Sequence, residues 1–138
     1  MKLFQNQKFT EKKTFNKNDI LNYSNLIGDY NPLHIDEDYA KKTIFGGTIV
    51  HGMLVASYFS KIIGMDLPGG GAIYLGQNLT FVNPIKPNEL LVYEVVVTNI
   101  RNDKPIVTLN TKCFNSEGIT LIEGEAIVKI KGNENDNT

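Results

Sequence analysis

Apolar residues recur at helical spacing through Ile20, Tyr23, Leu26 and Ile27, with Asn16 or Asn18 placed to cap the start and Gly28 to stop the helix. Before it, residues 8–15 (KFTEKKTF) form a strand candidate. Asp29 to His34 is turn chemistry, because Pro32 disfavours helix at Asn31. Asp36 caps a short helical segment through Lys42, and the apolar run from Ile49 to Gly64 predicts a long buried helix. After the break at Pro68–Gly71 the pattern changes. Ile73–Val82, Glu89–Asn102, Pro105–Phe114 and Ile119–Lys131 are rich in Val, Ile, Thr and Tyr, and are separated by Asn, Pro and Gly turns. Short connections between long strands require antiparallel pairing. The expectation is an α+β fold in which a meander curls around one long helix, the only element large enough to cover the sheet's apolar face. A single domain over residues 1–131 should end in a frayed polar tail, 132–138.

Composition narrows the function classes. At 138 residues the chain suits one domain with its own core. A net charge of −1 lacks the basic footprint of a nucleic-acid binder. Cys113 is the only cysteine, so no internal disulfide can form. The first residues lack the apolar core of a signal peptide. Ile44–Gly64 has the length of a membrane span, but His51, Lys61 and four glycines favour a helix buried in a soluble core. The expectation is a soluble, cytoplasmic protein that binds neither membrane nor nucleic acid, and is small enough to need a second chain to enclose a large ligand.

Several motif matches carry nothing. The glycines at 69–71 precede a strand where a phosphate loop needs a helix, and the two histidines, His34 and His51, have no partner at metal-ligand spacing. The informative run is Gly28-Asp29-Tyr30-Asn31-Pro32-Leu33-His34. A turn fixed by proline can bring the Asp29 carboxylate and the His34 imidazole onto one rim, where they could share a water. Two groups that exchange protons near neutral pH are what water addition or removal requires. The structural alternative makes Asp29 and Asn31 turn residues and His34 a packed histidine. Gly52, near the start of the long helix, offers an unobstructed N–H to a carbonyl oxygen. Gly52, Ala56 and Ser60 continue as a small-residue face, which a helix crowded against a sheet would also show. Ile62, Ile63 and Val128 are candidates for an apolar pocket wall, with core packing as their other role.

The run 28–34, followed by Ile49-Val50-His51-Gly52-Met53, resembles the signature of the MaoC-like (R)-specific enoyl-CoA hydratases. The likeness continues through residues 73–79, Phe81, 103–105 and 124–126, and covers roughly residues 15–131, nearly the whole chain. It implies a hot-dog fold and reversible hydration of trans-2-enoyl-CoA to (R)-3-hydroxyacyl-CoA, with no metal or redox cofactor. On that likeness Asp29 and His34 hold and activate the water, and the Gly52 N–H stabilises charge on the thioester oxygen. Ser60 matches a small polar active-site position. The resemblance also implies a homodimer with substrate along its interface. Arg101 is the only arginine, so lysines such as Lys86 or Lys104 would carry most contacts to the coenzyme A phosphates. The rival readings are a 3-hydroxyacyl-[acyl carrier protein] dehydratase, a hot-dog acyl-CoA thioesterase and an inactive acyl-CoA-binding relative.

Overall fold

The computed structural model describes residues 2–131. The chain runs β1 (Lys8–Lys13), α1 (Lys17–Ile27), α2 (Pro32–Ile35), α3 (Glu37–Lys41), α4 (Gly52–Met65), β2 (Ile73–Gln77), β3 (Thr80–Phe81), β4 (Leu91–Ile100), β5 (Ile106–Asn115) and β6 (Thr120–Lys129). The polar tail expected at 132–138 lies outside the described residues. One curved antiparallel sheet holds every strand, in the order β1-β4-β5-β6-β2 with β3 also on β6. This is the expected α+β hot-dog arrangement, with β4, β5 and β6 as its meander. The outer strands depart from chain order: β1 lies on β4, and β2 and β3 return to β6.

The expected single strand from Ile73 to Val82 is two strands. The β2–β6 register shifts between Tyr74 and Gly76, and at Asn78 the chain turns its side chain into the ladder. Asn78 Oδ1 accepts the Glu125 N–H at 3.0 Å, while Asn78 N–H donates to the Glu125 carbonyl. Only a glycine fits opposite, since a Cβ on Gly124 would collide with the Asn78 carbonyl.

The long helix begins three residues later than the apolar run suggests. Tertiary bonds hold the preceding segment extended: Ile49 N–H donates to the Leu33 carbonyl and Val50 N–H to that of Ile85. Along α4, Val55, Phe59, Ile62 and Ile63 pack in one buried cluster with Leu91, Tyr93, Val95 and Val97 of β4. Tyr93, fully buried, donates its hydroxyl proton to the Val55 carbonyl at 2.6 Å and pins α4 to the sheet. At 14 residues α4 is about 21 Å long by helical rise. No helix among the described residues is long and apolar enough to cross a membrane. Cys113 points into the same core from β5, and burial pushes its thiol up to about 12.

Candidate active site

The local sequence places Asp29 through the end of α1. Asn16 and Asp19 close a capping box at its start, and Gly28 ends it in the left-handed conformation at φ 78°. Gly28 and Asp29 N–H both donate to the Ser24 carbonyl, turning the chain so that Asp29 leaves the helix at a fixed point. The Asp29 carboxylate then accepts the Asn31 N–H, and the Asn31 side chain accepts that of Leu33. Asn31 thereby caps α2, with Pro32 at its first turn. The expected turn from Asp29 to His34 thus contains a short helix, and His34 lies on it.

His34 Nδ1 is 2.8 Å from the Ile49 carbonyl. A carbonyl can only accept, so neutral His34 carries its proton on Nδ1 and leaves Nε2 as a lone-pair base. Donor atoms of Asp29, His34 and His51 all lie within 4.8 Å of one another. Two hydrogen bonds to one water span about 4.5 Å at ordinary lengths, so a single water can bridge the Asp29 carboxylate and an imidazole. Chain spacing offered no such three-residue group; folding supplies it. The two imidazoles lie face to face at 3.9 Å and 27°, with His34 and His51 each already bonded to a neighbour, the Ile49 carbonyl and Ser24.

Gly52 opens α4. His51 precedes it and makes no capping bond, so no side chain of that residue competes for the first amides of the helix. A cavity of about 410 Å³ lies beside it, bounded by His34, Gly52, Phe45, Ile49, Met53 and Phe81 among others. Asp29 is outside that wall and reaches His34 from the α1 side. Phe81 lies over Gly52 so closely that a Cβ there would fall 2.6 Å from its ring. Apart from His34, these named wall residues are apolar, so the cavity sets an apolar lining beside the imidazole and the glycine of the helix start.

The structure therefore places Asp29 beside His34, and His34 with Gly52 on one cavity wall, and leaves the other candidates apart. Ser60 is exposed and does not border the cavity. Ile62, Ile63 and Val128 are sealed in the core, at 0%, 1% and 0% exposure, so their observed role is packing under the sheet. Arg101 is paired through two hydrogen bonds with Asp103. Sequence reasoning missed Ser24 and assigned nothing to His51, which is 3% exposed and 3.0 Å from the Ser24 hydroxyl. The readable signal was a serine on the apolar face of α1, one turn after Ile20.

Comparison with known proteins bears on the family and the fold. The MaoC-like domain family matches residues 2–115, a span that includes Asp29, His34 and Gly52. An (R)-specific enoyl-CoA hydratase from Aeromonas caviae is 45% identical over 90% of this chain and 92% of its own length. A mitochondrial 3-hydroxyacyl-[acyl-carrier-protein] dehydratase from Solanum lycopersicum is 42% identical over 84% of this chain and 70% of its own. The solved structure of the A. caviae (R)-hydratase superposes with a TM-score of 0.91 at 44% identity, covering 94% of this chain and 98% of that one. On sequence and on fold, the chain belongs to the MaoC-like domain family.

Proposed function

We propose that the protein is an (R)-specific enoyl-CoA hydratase, a hydro-lyase that adds water reversibly to trans-2-enoyl-CoA and forms (R)-3-hydroxyacyl-CoA. The observation that carries the reading is an Asp29 carboxylate oxygen and a His34 ring nitrogen within 4.8 Å of each other, with His34 lining the same cavity as the glycine that opens α4. The Gly52 N–H donates to the thioester oxygen and draws electrons from C3. Water held by Asp29 and the Nε2 of His34 attacks C3 and gives up a proton to that pair. Negative charge gathers on the thioester oxygen, C2 takes one proton from the pair, and the pair ends unchanged. Positioning and a polarised carbonyl supply the rate.

The apolar cavity beside His34 takes the acyl chain. Ile63 and Val128 are not on its wall, and a part in setting chain length would need the core behind it to open. Ile63→Ala is expected to move preference toward longer acyl groups; an unchanged preference leaves it as packing alone. Ser60→Ala without effect on kcat/KM removes that residue from the site. The reading includes a cytoplasmic homodimer. The support for pairing is the contrast between sheet edges: β1 carries Lys8, Glu11, Lys12 and Lys13, while β2 exposes Ile73 and Leu75.

Purified protein mixed with crotonyl-CoA should remove the enoyl-thioester ultraviolet absorbance without releasing thiol. Release of thiol indicates a thioesterase, and an unchanged spectrum at every chain length refutes the hydratase. Asp29→Asn and His34→Ala should each lower kcat by about 10²- to 10⁴-fold with the fold intact. The tomato relative favours a second reading, in which the carrier is acyl carrier protein. A larger kcat/KM for 3-hydroxyacyl groups on that carrier than on coenzyme A would select it.

A further inference from the structure

His51 stands where a helix usually has Ser, Thr, Asp or Asn, yet it spends its side chain elsewhere. Its ring turns inward. Nε2 lies 3.0 Å from Ser24 Oγ and 3.9 Å from Asp29 Oδ2, one face stacks on His34, and Tyr23 meets it edge-on at 4.8 Å. Nδ1 is buried without a hydrogen-bond partner. Burial first, and then His34, hold the imidazole below its ordinary pKa, so the ring is neutral near pH 7. A neutral ring has one N–H. Placing it on Nε2 gives it the Ser24 hydroxyl as acceptor; placing it on Nδ1 would leave a buried donor unmet.

The bond to Ser24 joins the last turns of α1 to the segment Ile49–Gly52, in which Val50 and His51 lie between the two ends. The two ends of that segment supply the backbone groups used by the chemistry, the Ile49 carbonyl that fixes the His34 tautomer and the Gly52 N–H. We infer that His51 is a positioning residue: anchored by Ser24 and stacked on His34, it holds the Ile49–Gly52 segment in register with Asp29 and His34. The inference rests on the hydratase reading above, because only that chemistry uses both backbone groups together. A helix capped at this position by serine would gain a better start and lose the anchor, the kind of local rule broken at a working site.

Steady-state kinetics on crotonyl-CoA and the nitrogen-15 signature of the His34 ring test this in wild type, Ser24→Ala, His51→Phe and His51→Gln. Ser24→Ala and His51→Phe are expected to lower kcat about 10- to 100-fold, the cost of a small misplacement. KM should stay within about twofold, because substrate binding as such is untouched. The amide nitrogen of His51→Gln reaches toward Ser24 as Nε2 does, and should restore most of kcat. His34 should show one Nδ1–H tautomer in wild type and a mixture in Ser24→Ala. Folded Ser24→Ala and His51→Phe with wild-type kcat would overturn the inference, as would a loss that glutamine does not restore with the His34 signature unchanged. If His51→Phe does not fold, Ser24→Ala, which deletes one oxygen, decides. If wild type leaves crotonyl-CoA untouched, the hydratase reading fails and the tautomer comparison alone decides whether His51 positions His34.

Discussion

A proton arriving on His51 is resisted first by burial and then by His34 stacked on its face, while Asp29, through its carboxylate and its backbone, draws it in. The unfolded chain has no such obstacle. Between its ordinary pKa of about 6.5 and its lower folded value, the unfolded state binds more protons, so stability rises with pH across that window. The contribution is complete above about pH 6.5 and is lost as pH falls through the folded value. Urea midpoints measured from pH 7 downward should fall more steeply for wild type than for His51→Gln. Parallel curves would show that His51 does not resist its proton. Sequence reasoning singled out Asp29, His34 and Gly52 as candidates because they fall in two short runs. It missed Ser24 because the serine on the apolar face of α1 does not reveal its partner, which lies 27 residues away.

Strand β2 ends where Asn78 takes over its pairing, and the device depends on a missing side chain on β6. Gly124→Ala has nowhere to place its methyl except against the Asn78 carbonyl. Overpacking of this kind costs about 1–3 kcal/mol, and more where backbone must move. A urea midpoint within error of wild type would mean that the bulge relaxes freely. The continuous β-rich run from Ile73 to Val82 hid this break, since a pattern of side chains does not reveal a change of register. Helix α1 was legible nearly to the residue, because Asn16 and Gly28 mark both ends. Helix α4 was not, because its first apolar residues serve extended backbone bonded to Leu33 and Ile85.

Pairing of two chains would hide the apolar β2 edge that one chain leaves open. Light scattering should give twice the 15.4 kDa chain mass, and Leu75→Glu should shift it toward the monomer with loss of activity. A fully active monomer would contradict the reading. The order of the outer strands was beyond the sequence, since antiparallel pairing is equally satisfied by a simple run of neighbours. The core offers a separate handle on the whole molecule. Its one cysteine, on β5 between two long strands, has its thiol pushed up to about 12 and meets no solvent while the sheet is closed. A thiol reagent should therefore modify folded protein only as fast as the sheet opens. Cys113 is thus an internal clock for unfolding, and a second cysteine introduced on the surface could be labelled alone, without removing the native one.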